Sequence, residues 1–256
     1  RQTMAQSRYV PVKDVAQFAG QIVTIKGWIY HQRSSGKLHF LEIRDGTGYI
    51  QAVVIKSQVA EDVFNLYDKL TLESAVSVTG IVREDKRAPG GYELTVKDME
   101  ILRVSEPFPI TPKEHGIEFL LDNRHLWIRS KKERAILKIR DEFEYAIREF
   151  FKQEGFVLTD SPILTGTMAE GGSTLFETDY YGTPAYLAQT GQLYLEATIY
   201  GFGKTYCFGP TFRAERSKTR RHLIEFWMVE AEEAFYDQEM NLAVQEQFVE
   251  YIVQKL

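Results

Sequence analysis

Pro107, Pro109 and Pro112 crowd into one short stretch, and neither a helix nor a sheet can run through it. Proline fixes φ, lacks the amide hydrogen and pushes the residue before it out of the helical region. Residues 105–112 therefore read as a linker, and the chain has to build its core twice, over residues 1–104 and 113–256. Both stretches are long enough to fold independently. Charge divides at the same place: the formal net charge of −5 splits into +2 over residues 1–104 and −7 over 105–256. Two units with different tasks follow from that asymmetry, though not what the tasks are.

The first part is strand-rich. Residues 22–30, 38–44, 49–55, 75–82 and 92–102 are short, rich in β-branched and aromatic residues, and bounded by turn formers. Asp45-Gly46-Thr47-Gly48 predicts a hairpin turn between the second and third. Val59, Val63, Phe64, Tyr67 and Leu70 recur at helical spacing between the third and fourth, with Ser57 as N-cap. Three strands, a helix and two strands is the order of an OB-fold, a small Greek-key barrel whose face often binds oligonucleotides. Another small barrel or sandwich fits the same pattern.

In the second part the periodicity changes. Ser130-Lys131-Lys132-Glu133 predicts a capping box, with side chain and backbone satisfied in both directions. A long amphipathic helix follows, with Ile136, Ile139, Phe143, Ala146, Ile147 and Phe150 on one face, ended by Gly155. Strand-like runs at 156–159, 175–181, 185–189, 205–213 and 223–235, with a helix near 191–202, show no βαβ alternation. The fold class is therefore α+β: a five-stranded OB barrel, then an antiparallel sheet with flanking helices. The chain stops within a helical run, Gln238 to Leu256, which reads as a truncation.

Several chemistries are excluded. A single cysteine, Cys207, leaves no internal disulfide and no cysteine-rich zinc site. Gly203-Lys204-Thr205 resembles the end of a P-loop, but Thr198 stands where the first glycine belongs. His31, His39, His115, His125 and His222 lack metal-ligand spacing, and no Gly-x-Ser-x-Gly elbow occurs. No apolar run approaches the roughly 20 residues of a membrane helix. Arg1 to Tyr9 lack the apolar centre of a signal peptide, so the expected setting is cytoplasmic and reducing.

The stretch that carries chemistry is GPTFRAERSKTRRHLIEFWMVEAEEAF, residues 209–235. Arg213 and Glu215, read as a continuing strand, share one side. Arg216, Lys218, Arg220, Arg221 and His222 fill a loop, and Phe226, Met228 and Glu230 share a face of the next strand. A guanidinium fork suits phosphate or carboxylate, a basic loop suits a bent polyphosphate, and an aromatic face suits a stacked base. A solvated basic hairpin whose aromatics belong to the core fits the composition equally well.

This stretch resembles motif 2 of the class II aminoacyl-tRNA synthetases: Phe-Arg-x-Glu, a loop, then a second strand. EGFVLTDSPIL (154–164), closing the long helix and carrying Pro162, resembles their motif 1. An N-terminal OB-fold is where subclass IIb places its anticodon-binding domain. Within IIb, FRAERSKTRRHLIEFWMVE and QTGQLYLE (189–196) are most similar to the asparaginyl members. Aspartyl members carry a lysine where this chain has Leu195. Motif 3, with its Gly-rich run and adenine-closing arginine, is absent, so a fragment is expected that binds but does not turn over. A degenerate paralogue used only for binding, and an aspartyl-type enzyme, are the other readings.

The resemblance implies ATP-dependent activation of L-asparagine and its transfer to tRNA(Asn), with Mg²⁺ bridging the phosphates. Arg213 is implied as the catalytic residue, on the α-phosphate and the substrate carboxylate. Glu215, Arg221, His222, Leu223 and Phe226 are implied for ATP, with Glu215 on the adenine amino group and Phe226 stacked on the base. Glu170, Gln192, Arg213 and Glu225 are implied for the amino acid, Glu225 accepting from its side-chain NH₂ and repelling aspartate. Arg33, Phe40 and Gln51 are implied as anticodon readers, and a homodimer through the motif 1 helix region is implied. Alternation in LHFLEIR places Phe40 with Glu42 and Arg44, away from a barrel core.

Overall fold

The computed structural model describes residues 8–166 and 174–256. The chain divides into two compact units at Leu126/Trp127, each built on its own core.

In the first unit a short β1 (Arg8–Tyr9) runs parallel to the start of β2 (Ile22–Ser35). β2 pairs antiparallel with β3 (Leu38–Arg44), and β3 with β4 (Tyr49–Ile55). β5 (Ala75–Glu84) and β6 (Tyr92–Arg103) pair with each other; β6 lies parallel to β4 and β5 closes back onto β2. This closed order is the OB barrel that the element pattern predicts. Alternation fills it: Val23, Ile25, Ile29, Leu41, Ile43, Ala52, Val76, Val78, Leu94 and Val96 all point inward and are buried. Closure brings backbones very close at two glycines. A Cβ on Gly27 would meet the Arg44 carbonyl oxygen, and one on Gly80 the Thr95 carbonyl oxygen, well inside contact distance.

The hairpin turn forms as predicted. Asp45 accepts from the backbone N–H of Thr47 at 2.7 Å, Gly48 at 2.8 Å and, across the barrel end, Val12 at 2.8 Å. The helix between β4 and β5 is shorter than predicted. α1 (Glu61–Phe64) starts after Ala60 with no side-chain cap, and tightens into a 3₁₀ turn over Asn65–Lys69. Ser57 does not cap it, because Gln58 N–H closes a turn onto Ile55 O at 2.8 Å and uses up that segment. Arg44 is not on a wet face either. It is 6% exposed and forms two 2.8 Å bonds to Glu73, which is 8% exposed. Helices α2 (Ile117–Asp122) and α3 (Arg124–Trp127) lead up to the division.

The second unit opens with α4 (Lys131–Gln153). Ser130 Oγ accepts from Glu133 N–H at 3.3 Å, but the capping box is only half made: Ser130 N–H donates to Trp127 O. Gly155, at φ +81°, turns the chain out of the helix. β7 (Val157–Leu158) runs parallel to the start of β11 (Lys204–Phe212), and β11 pairs residue for residue with antiparallel β12 (Glu225–Glu233). A second sheet has the order β8 (Leu164–Thr165), β10 (Thr183–Leu187), β9 (Glu177–Tyr180). α5 (Gln192–Phe202) and α6 (Gln238–Lys255) complete the unit.

One face of the β11–β12 ribbon meets α4 and α6. Ala146, Ile147, Phe150, Phe151, Phe156, Tyr206, Phe208 and Ile252 form that core, with Val229 and Ala231 against it. α5 packs on β11 and β12 and buries Leu195 completely. Only the C-terminal half of the predicted α4 stripe is covered: Ile136, Ile139 and Phe143 are exposed, as is Leu137.

Candidate functional sites on the barrel face and the β11–β12 ribbon

On the barrel, three adjacent strands bring the nominated residues together. Arg33 of β2 faces Phe40 of β3 across the ladder, and Glu42, two residues on, faces Gln51 of β4. Phe40 is half-buried and outside the core cluster, and the Arg33 guanidinium lies 4.0 Å from its ring centre. Gln51 Nε2 donates to Glu93 of β6 at 3.3 Å. An aromatic ring, a cation and an oriented amide on one β-face can stack a splayed base and hydrogen-bond its edge. His39, the next residue on β3, points the other way. It is 6% exposed, bonded to Ser34 Oγ at 3.0 Å and stacked against Phe64 and Tyr67. Burial holds its pKa below the usual histidine value, with Asp68 opposing.

In the second unit, the β11–β12 register pairs Thr211 with Phe226, Gly209 with Met228, and Cys207 with Glu230. These share the face opposite the α4 core. The predicted face of Phe226, Met228 and Glu230 is thus confirmed. Arg213 and Glu215 are not on a strand, because β11 ends at Phe212. Arg213 adds one further bond, its N–H to Ile224 O at 2.8 Å, and the chain then leaves the ladder. Arg213, Glu215 and Phe226 are half-buried, while Arg216, Lys218, Arg220, Arg221 and Leu223 are exposed. His222 Nε2 bonds to the Glu215 carbonyl at 2.7 Å, so its ring closes the loop.

Glu225 is not brought to this face. It pairs with Phe212 and lies on the side of Trp227, where it lines a groove of about 480 Å³ together with the nominated Leu223 and Phe226 and with Arg140, Phe143 and Glu144 of α4. Strand alternation, which separates neighbours, is the cause. Gln192 is the first residue of α5 and donates to Glu196 at 2.9 Å. Glu170 lies outside the described residues.

Sequence reasoning left Thr190, Gly191, Cys207 and Glu230 without a role, and the structure gathers them on one cavity of about 320 Å³. Glu230 accepts from Thr190 Oγ1, and from Gly191 N–H at 2.8 Å; Cys207 Sγ lies 3.5 Å from the same carboxylate. Arg148, Asp160, Ser161 and Thr211 complete its polar lining. Gln192 and Arg213 are chain neighbours of Gly191 and Phe212 but not lining residues. The signal that could have found Glu230 was its shared parity with Phe226.

The site's charge is lopsided. Burial, followed by the charges of Glu196 and Glu230, raises the Glu232 carboxyl. Burial and the Glu230 carboxylate push the Cys207 thiol up to about 12. A neutral thiol is a poor nucleophile. Cys207 should therefore react with iodoacetamide at pH 7.5 at least 10²-fold more slowly in the native chain than in urea. The native rate should still be climbing at pH 9.5. A native rate equal to the unfolded one would mean that the thiol is neither buried nor held neutral.

A family profile described as "tRNA synthetases class II (D, K and N)" matches residues 116–256, and one described as "OB-fold nucleic acid binding domain" matches 23–102. The asparagine–tRNA ligase of Pelotomaculum thermopropionicum is 55% identical over 96% of this chain and 57% of its own length. Asparaginyl-tRNA synthetase from Pyrococcus horikoshii, solved with asparaginyl-adenylate, is 44% identical with a TM-score of 0.90, over 98% of this chain and 58% of that one. The Entamoeba histolytica asparaginyl-tRNA synthetase, also solved with asparaginyl-adenylate, is 31% identical with a TM-score of 0.87, over 98% of this chain and 58% of that one. The chain thus spans a little over half the length of these relatives. With motif 2 on the β11–β12 ribbon and an OB barrel before it, the chain belongs to the class II tRNA synthetases (D, K and N).

Proposed function

We propose that this chain is part of an asparagine–tRNA ligase, contributing the anticodon-reading barrel and the motif 1 and 2 portion of the adenylate-forming site. The observation that carries this reading is the TM-score of 0.90 to a 44%-identical asparaginyl-tRNA synthetase that holds asparaginyl-adenylate. In the reaction, a carboxylate oxygen of asparagine attacks the α-phosphorus of ATP in line. The new C–O–P bond forms as the bond to the pyrophosphate oxygen breaks, and the 3′ end of tRNA(Asn) then displaces AMP. No enzyme-bound covalent intermediate is needed, so positioning and charge stabilisation supply the catalysis.

In this proposal Arg213 spans the substrate carboxylate and the α-phosphate, and Phe226 stacks on adenine with Glu215 at its amino group. Arg221 and Leu223 flank the ATP tail, and His222 reaches it once its ring leaves Glu215 O. Gln192 and Glu170 take the substrate ammonium. Glu230 shares the strand face of Phe226 and supplies a carboxylate there, while Glu225 lies on the opposite face of β12. Mg²⁺, when bound with ATP, would neutralise the charge of the phosphates; among the described residues no group of three His, Cys, Asp or Glu is placed to hold a metal.

No helix among the described residues is long and apolar enough to cross a membrane. The proposed setting is the cytoplasm, where one thiol stays reduced. The exposed Ile136, Leu137, Ile139 and Phe143 on α4 support a homodimer through the motif 1 helix.

The test is asparagine-dependent ATP–pyrophosphate exchange by this sequence extended to the length of its relatives. Equal exchange with aspartate would sink the amino-acid assignment. The barrel's part is tested on the present chain. Phe40→Ala should weaken tRNA(Asn) binding by about 5- to 150-fold, the equivalent of roughly 1–3 kcal/mol for one stacked base. Its melting temperature should hardly move, since Phe40 lies outside the core. Unchanged tRNA affinity with a collapsed melting temperature would make Phe40 a structural residue instead.

A further inference from the structure

Gly191 sits just before α5 with φ −93° and ψ 0°, a conformation open to any residue. Its identity is set by space instead. A Cβ built there would lie 2.5 Å from Cys207 Sγ, 2.6 Å from Ser161 Oγ and 3.2 Å from Ser161 Cβ. Real Cβ atoms do not come so close; Cys207 Sγ is buried against Glu230 at 3.5 Å, and Ser161 Oγ bonds to Gly191 O at 3.4 Å. Gly191 also has no spare backbone group. Its N–H goes to Glu230 at 2.8 Å, and its carbonyl accepts from Tyr194 and Leu195 N–H, both at 3.1 Å. The residue therefore fastens the start of α5 to β12 at closest approach, with Thr190 on one side and Gln192 on the other.

We propose that Gly191 is a positioning residue for amino-acid recognition: the absence of a side chain lets the α5 N-terminus seat against Cys207, Ser161 and Glu230, which sets Thr190 and Gln192 toward the substrate. This rests on the reading of the site as an amino-acid pocket. A methyl group at 191 lifts the α5 start off the sheet by the few tenths of an ångström to an ångström that relieve the contact. That displacement is enough to lose a substrate hydrogen bond, whose geometry falls off steeply beyond about 3.2 Å.

The experiment is titration calorimetry of the 256-residue chain with L-asparagine, alongside melting temperatures. The variants are Gly191→Ala, Ser161→Ala/Cys207→Ala, and the triple variant combining all three. Gly191→Ala is expected to bind asparagine at least 10-fold more weakly. Because Ser161 and Cys207 line the cavity themselves, the double variant sets the reference, and the triple variant should bind within about threefold of that double variant, since the two atoms that the new methyl meets are gone. Should wild type show no asparagine binding, the amino-acid reading fails and this proposal falls with it. Should wild type bind and Gly191→Ala bind within twofold of it, the reading stands and the proposal alone is overturned. If Gly191→Ala does not fold, the triple variant decides: folding with binding supports steric relief as the cause, and failure to fold or to bind overturns it.

Discussion

Glu73→Ala is expected to remove about 3–5 kcal/mol from the stability of the OB barrel, the usual result of stripping one partner from a buried ion pair. Arg44 and Glu73 form a two-pronged bond with both side chains almost fully enclosed, at 7% and 5% exposure. Alanine at 73 leaves a guanidinium that cannot lose its proton, in a place that water hardly reaches. Trp28 and Tyr30, with ring centres 5.6 and 5.9 Å from that guanidinium, soften the penalty without replacing a carboxylate. For a unit of this size the melting temperature should fall by on the order of 10–20 °C. The desolvation of two buried charges offsets most of their attraction, so Arg44→Met/Glu73→Leu should recover most of the loss. Calorimetry on the three proteins decides the point: a single variant that melts within 2 °C of wild type would show that water reaches Arg44 after all.

Arg213→Ala should lower asparagine-dependent exchange by about 10²- to 10³-fold in the protein at its relatives' length, the range seen when one donor to developing charge is removed. The backbone at Arg213 is pinned by the last bond of the ribbon, to Ile224 O, so the guanidinium starts from a fixed point. Lysine at 213 should recover little, since a point charge cannot span a carboxylate and a phosphate as a planar fork does. Pyrophosphate exchange with the melting temperature as control separates chemistry from folding. Exchange within fivefold of wild type would remove Arg213 from the catalytic role.

Local signals were legible wherever the determining interaction was local. The Asp45–Gly48 turn, the Ser130 cap and the Gly155 stop each depend on residues within a few positions of one another, and all three occur. The barrel's strands were legible because a period of two survives in Val23, Ile25, Leu41 and Ile43 whatever they pack against. The segment after Ser57 misled because its apolar spacing suits either one long helix or an α-turn followed by a 3₁₀ turn. The Gln58–Ile55 bond, fixed by where β4 ends, chose the second.

By its sequence alone this chain determined its α+β class and its motif 2, since each is written in contiguous residues; the prolines at 107, 109 and 112 led to a division expected there, whereas the compact units part at Leu126/Trp127. Alternation also said that Glu225 and Glu230 must face opposite sides of β12, but not which side meets α4. Only the tertiary structure decided that. It placed Phe208 and Val229 against Phe150 and Phe151, which left Glu230 with Cys207 and Thr190 and turned Glu225 toward Arg140. The same holds for Gly191, whose neighbours Ser161 and Cys207 are 30 and 16 residues away in the chain. Contacts at such separations come from which apolar faces bury one another, and that choice is made by the whole unit rather than by any window of its sequence.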